Sequence, residues 1–132
     1  MVGLDTGFFI ALMKSDPAAT RFWSNLSKSN ALPIVSILTI GELLYITLRF
    51  NEPEKGKRLV ENIYIAAEVL PVDREIVEKA AAFKAGRGMP YVDSIILATF
   101  ILAGCKEIHT TDKNHFAGIK NKGLKIIFYD NP

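Results

Sequence analysis

Hydrophobic positions along this 132-residue chain come in two textures. Short apolar runs alternate with longer stretches whose apolar residues recur at helical spacing, the pattern of strands alternating with helices. Val2-Gly3-Leu4 predicts a first buried strand and Thr6–Met13 a short helix after it. Asp16 before Pro17 predicts a capped helix carrying Phe22, Trp23 and Leu26 on one side. Residues 32–35 predict a second strand, and Ser36 is placed to cap a helix reaching about Arg49. Asn51 and Pro53 break that pattern before a helix over 54–67. A third strand is expected over 69–72, then a helix capped by Asp73 and ended by the Ala85-Gly86-Arg87-Gly88 turn. A very apolar helix over Tyr91–Ala103 is followed by a strand at 107–111, a helical turn at 115–119 and a last strand at 125–129.

Strands and helices in alternation imply an α/β protein with a parallel sheet covered on both faces. No repeat, low-complexity segment or linker interrupts the chain, so residues 1–132 are expected to form one domain. Apolar residues make up 49% of the chain and the mean hydropathy is +0.20, which raises the question of a membrane. The run 31–48 contains Pro33, Gly41 and Glu42, and the run 88–105 contains Pro90, Asp93 and Gly104. An acid in mid-span is expensive in lipid, so neither is expected to cross a bilayer. The first residues carry Asp5 and no basic leader, which makes a poor signal peptide. The single cysteine, Cys105, excludes an internal disulfide framework and suits a reducing cytoplasm as a small buried hydrophobe. A net charge of +2 imposes no global basic field, while a pI near 8.7 permits a nucleic-acid partner.

Three carboxylates stand alone in uncharged surroundings. Asp5 is the only charge between Met1 and Met13, Glu42 between Lys28 and Arg49, and Asp93 between Arg87 and Lys106. Such stretches fold inward, where an isolated carboxylate must be neutralised, hydrogen-bonded or set against a cation. The predicted elements put Asp5 directly after the first strand, Asp112 directly after the fourth, Asp93 in the first turn of its helix and Glu42 about two turns into another. In open parallel sheets ligands bind beyond the carboxyl ends of the strands, where these four acids are expected to gather. Carboxylates without clustered Cys or His select Mg2+ or Mn2+ over Zn2+. A site of that kind serves nucleases and phosphatases alike.

The run Leu4-Asp5-Thr6-Gly7-Phe8-Phe9-Ile10-Ala11-Leu12, then Ile40-Gly41-Glu42-Leu43, then Tyr91-Val92-Asp93-Ser94-Ile95-Ile96-Leu97-Ala98, then Thr110-Thr111-Asp112 with Phe116, resembles a PIN domain in complete order. Within that superfamily it is most similar to the stand-alone VapC-type ribonuclease toxins. The resemblance implies a three-layer α/β/α sandwich and a Mg2+- or Mn2+-dependent endoribonuclease acting on RNA as the toxin of a toxin–antitoxin pair. It implies Asp5, Glu42, Asp93 and Asp112 as the acidic quartet, with Asp5, Asp93 and Asp112 as the chief metal ligands and Glu42 orienting a water or a second ion. Thr6 and Thr110 would be supporting hydroxyls. Many relatives carry a further acid or amide shortly after the last aspartate, and Asn114 is the nearest residue here. A homodimer and an antitoxin protein as partner are implied as well.

Other residues carry weaker signals. Lys84 and Arg87 flank the glycine turn before Asp93, and Lys113 follows Asp112, so these three could track RNA phosphates. Single lysines and arginines are more often solvated surface. Asp16 and Asp73 read as helix caps, His109 as a structural strand residue, and His115 as either a substrate contact or a residue exposed beside a turn. Phe8, Phe9, Phe22, Trp23, Tyr45 and Phe100 read as core or interface. Two other functions compete: a non-cleaving PIN module that binds RNA or protein, which the full quartet argues against and the missing fifth acid keeps open, and a metal-dependent phosphatase. The latter expects a paired aspartate motif after the first strand, which Asp5-Thr6-Gly7 lacks.

Overall fold

The structure is a computed structural model and describes residues 1–130. Five parallel strands form one sheet: β1 (Val2–Leu4), β2 (Pro33–Ser36), β3 (Glu68–Leu70), β4 (Glu107–Thr110) and β5 (Lys125–Phe128), in the order β3-β2-β1-β4-β5. The helices are α1 (Thr6–Met13), α2 (Pro17–Asn25), α3 (Ile37–Arg49), α4 (Pro53–Ala66), α5 (Arg74–Arg87), α6 (Tyr91–Ala103) and the single turn α7 (Lys113–Phe116), with a 3-10 turn at Leu26–Lys28.

Side chains of a strand alternate between faces, and the core divides accordingly. Val2, Leu4 and Val35 join Phe8, Phe9, Leu43 and Ile63 on the face covered by α1 to α4. Ile34 and Ile108 join Met89, Leu97, Phe100 and Phe116 on the face covered by α5 to α7. Gly3 belongs to the second face, and any Cβ there would run into the Phe100 ring. The result is the expected three-layer α/β/α sandwich. Asp16 and Asp73 cap α2 and α5 by accepting from Ala19 N and Ile76 N, each at 2.9 Å. Ser36 caps α3 through Leu38 N at 3.2 Å.

Some boundaries differ from the expected ones. β2 takes in Ser36, because the capping residue still pairs with Leu70 of β3. β3 begins and ends early, at Glu68–Leu70, because Pro71 has no N–H to donate to a ladder. Helix α5 runs through Gly86 and ends only at Gly88, whose φ of 66° suits the left-handed cap. The helical turn expected at 115–119 lies at Lys113–Phe116, since Asp112 itself is its cap.

The order of the strands decides where a site can form. From β1 the chain steps outward through β2 to β3, then crosses back through α5 and α6 to β4 on the other side of β1. That reversal splays the loops after β1 and β4 apart and opens a crevice at their carboxyl ends. Among the described residues no helix is long and apolar enough to cross a membrane.

Candidate metal centre

Asp5 leaves β1 and caps α1 through Oδ1, which accepts from Phe8 N at 2.9 Å. Asp112 leaves β4 and caps α7 through Oδ1, which accepts from His115 N at 3.1 Å. Asp93 lies in the first turn of α6, where the helix dipole favours a negative charge. Glu42 reaches in from α3 and accepts from Thr6 Oγ1 at 2.5 Å. All four acids line one cavity of about 220 Å³ together with Thr6, Gly7, Ile10, Ile46, Ile96 and Phe116.

Three hydroxyls support this arrangement. Thr6 gives its single proton to Glu42, so the 3.0 Å contact with Thr39 has Thr39 donating to Thr6. Thr39 lies three residues before Glu42 on the same side of α3, a supporting role that sequence reading did not find. Thr110 Oγ1 accepts from Asp112 N at 3.0 Å, and its hydroxyl favours the ionised form of Asp5. Ser94, the residue after Asp93, is buried and donates to Pro90 O at 2.9 Å, so it serves its own helix.

The electrostatics are those of an uncompensated acidic pocket. Asp5 is 6% exposed, and burial pushes its carboxyl up to about 7 against the hydrogen bonds from Thr110 and Phe8, with Asp93 and Asp112 adding repulsion. Asp93 is also raised, first by burial, then by Asp112 and Glu42, while His115 pulls it down. For both acids burial is the larger cause and mutual repulsion the smaller. Among the described residues no lysine or arginine pairs with any of the four. Donor atoms of Asp93, Asp112 and His115 all lie within 4.8 Å of one another, a mainly carboxylate set that fits a divalent cation, while Asp5 and Glu42 line the same cavity outside that group.

His115 is the residue that sequence reading undervalued. Its Nδ1 lies 2.7 Å from Asp112 Oδ2 and 3.6 Å from Asp93 Oδ2, so it belongs to the cluster rather than to a bare surface turn. The spacing Asp-x-x-His across an N-cap was the available signal, because a capping residue and its third successor share one side of a helical turn. His109 is structural, as expected. It sits between Tyr129 OH at 2.7 Å and Glu107 Oε1 at 2.9 Å, and its burial favours the neutral ring.

The remaining candidates lie farther out. Asn114 and Lys113 are exposed and line a neighbouring groove with Asp112, Thr111, Tyr129 and Asp130, so no fifth acid or amide enters the cavity of the quartet from there. Lys84 and Arg87 are exposed in the last turn of α5 and line neither the cavity nor this groove. Tyr45 is 60% exposed and is not a core residue.

Gly7 permits the close approach of α1 to β4. A Cβ there would collide with Thr111 Oγ1 and lie 3.2 Å from Thr111 N and 3.3 Å from Asp5 Oδ1. In an open helix Gly→Ala stabilises by up to about 1 kcal/mol, and that is the result expected for Gly41→Ala, which meets nothing within 4 Å. Gly7→Ala is expected instead to destabilise by about 1–3 kcal/mol through overpacking and to displace Asp5. Thermal melts of the two variants check this, and equal upward shifts would be incompatible with tight packing at Gly7.

Comparison with known proteins places this geometry. Among solved structures the fold is similar to VapBC2 of Rickettsia felis bound to a DNA fragment from its promoter, with a TM-score of 0.79 and 16% identity over 98% of this chain and 100% of that one. DNA-bound VapBC of Salmonella typhimurium gives 0.72 at 25% identity, over 95% of each chain. VapC20 of Mycobacterium tuberculosis, described as a sarcin–ricin loop cleaving toxin, gives 0.73 at 19% identity over 91% of this chain and 97% of that one. No curated protein sequence gives a significant match. The PIN domain family model covers residues 2–122 and so contains all four acids and the elements that carry them: the chain belongs to the PIN domain family.

Proposed function

We propose that the protein is a metal-dependent endoribonuclease and the toxin of a toxin–antitoxin pair, with Asp5, Asp93 and Asp112 as metal ligands and Glu42 as the residue that orients the attacking water. The observation that carries this reading is the convergence of four acids from four separate segments on one small cavity, with no lysine or arginine paired to them among the described residues. The VapBC likeness favours RNA over a phosphomonoester as substrate and supports an antitoxin as partner.

A divalent cation, when bound, supplies charge neutralisation at the scissile phosphate and lowers the pKa of water at neutral pH. The chain supplies the rest. Asp5 is fixed by the α1 cap and Asp112 by the α7 cap, so both ligands are held before substrate arrives. The Thr39–Thr6–Glu42 chain fixes a carboxylate on another wall of the cavity, where it accepts a hydrogen bond from water. Lys113 beside Asp112 is the basic residue best placed to meet an RNA phosphate.

An apolar cleft of about 530 Å³ between α1, α3 and α4 shares Ile10 and Ile46 with the acidic cavity. A protein segment seated there reaches the acids, which suits control by an antitoxin. Exposed Tyr45, Leu48 and Phe50 on and just after α3 suit an interface with a partner or a second copy.

The test is incubation of the purified protein with RNA and Mg2+ or Mn2+, with EDTA as control. Cleavage that needs the metal and stops with EDTA is expected. Metal-dependent binding of RNA without cleavage would instead favour the non-cleaving module.

A further inference from the structure

We infer that His115 is itself a metal ligand, through Nδ1, and that it turns the site's preference from Mg2+ toward Mn2+. This rests on the proposed metal-dependent function and adds to it the identity of one ligand and the choice of ion. An all-carboxylate set leaves Mg2+ and Mn2+ equally served. The structure brings a nitrogen into that set.

The geometry is that of donors on one ion. Cis ligands of an octahedral cation with bonds of about 2.1 Å stand roughly 3 Å apart. His115 Nδ1 lies 2.7 Å from Asp112 Oδ2 and 3.6 Å from Asp93 Oδ2, on either side of that separation. Ligand atoms of Asp93, Asp112 and His115 all fall within 4.8 Å of one another. The ring is also pre-placed. Asp112 Oδ1 accepts from the His115 backbone N–H at 3.1 Å, so the aspartate that supplies one ligand anchors the residue that supplies the next. The imidazole is only partly exposed, with 38% of its side-chain surface accessible, and among the described residues it is the only basic side chain within ion-pair distance of the four acids.

The chemistry then follows from the donor atom. Mg2+ demands oxygen ligands and gives up water reluctantly, whereas imidazole nitrogen is a good ligand for first-row transition ions. A single nitrogen among carboxylates therefore favours Mn2+ without making the site a zinc site, which calls for several nitrogen or sulfur ligands. The competing account is a plain hydrogen bond that only orients Asp112. The two differ in what the bound ion feels.

Titrating the intact protein with Mn2+ at about pH 8, where ligands are deprotonated, separates them by electron paramagnetic resonance. Pulsed measurements on the wild type are expected to show a directly coordinated nitrogen, and His115→Gln and His115→Ala are expected to lose it. The other histidine, His109, is engaged on both ring nitrogens by Tyr129 and Glu107 and does not supply the signal. Losing an outer-shell partner already lowers metal affinity by about 10–100-fold, so the variants should bind Mn2+ at least about tenfold more weakly. Their Mg2+ affinity, read by competition, should change far less. Wild-type Mn2+ without nitrogen coupling, or variants that weaken both ions equally, would overturn the inference and leave the nuclease reading standing. Failure of the wild type to bind either ion would remove both.

Discussion

Asp5→Asn is expected to remove metal-dependent RNA cleavage, by at least about 10²-fold, and at the same time to make the metal-free protein more stable. The two effects share one cause. Asparagine is as good an N-cap as aspartate, so the hydrogen bond from Phe8 N survives and α1 keeps its start. What disappears is a charge in a site that is 6% exposed and faces two other acids. Without that charge a bound cation loses a ligand, and the metal-free pocket is relieved of a charge held almost out of solvent.

The sign with pH follows from the direction of the shift. Burial raises Asp5 from 3.8 to about 7 in the folded chain. Below the unfolded value both states hold the proton and the group imposes no penalty. As pH climbs through about 7 the unfolded chain has long released its proton while the folded one must ionise a buried acid, so stability is lost over that interval. The full span corresponds to roughly 4 kcal/mol at most, and relaxation or water entry reduces it. Denaturant unfolding of EDTA-treated protein should therefore show the asparagine variant gaining on the wild type from about pH 4 to pH 8, with the gain closing at the acid end. Added Mn2+ should stabilise the wild type and not the variant. A variant that cuts RNA at the wild-type rate, or a gain that is flat across pH, sinks the assignment of Asp5 as a buried ligand.

Much of this was legible in the sequence, for reasons that particular residues make clear. Asp16, Ser36 and Asp73 each precede an apolar-periodic stretch, and all three cap the helix they were expected to cap. The four acids could be placed because each lies in or directly after a strand or helix whose position against a parallel sheet is set by topology. What escaped notice depends on neighbours far apart in sequence. Thr39 matters only because α1 brings Thr6 beside it, 33 residues away. Gly7 reads as an ordinary small residue until β4 delivers Thr111 against it. Asn114, read as the nearest substitute for a fifth acid, points into an outer groove, because the α7 turn directs His115 rather than its neighbour toward Asp93.

Phe8→Ala is expected to destabilise the fold by about 3–5 kcal/mol, against a total of about 5–15 kcal/mol for a domain of this kind, and to lower Tm by roughly 10–20 °C. Phe8 is fully buried, and its ring meets Phe9 at 5.2 Å, Tyr129 at 5.3 Å, Phe22 at 5.9 Å and His109 at 6.0 Å between centroids, mostly edge to face. That cluster ties α1 and α2 to β4 and to the residue after β5, so one truncation loosens contacts from four segments at once. The effect on chemistry should be smaller than the effect on stability. The donor that holds Asp5 is the main-chain N–H of residue 8, which alanine retains, and alanine keeps α1 helical. At low temperature, where the variant is still folded, its Mn2+ affinity should therefore stay close to wild type while its melting point falls. Loss of metal binding in fully folded Phe8→Ala would mean that the ring, and not the cap, positions the acid; a melting point near wild type would mean that the aromatic cluster is not the anchor of this face of the sheet.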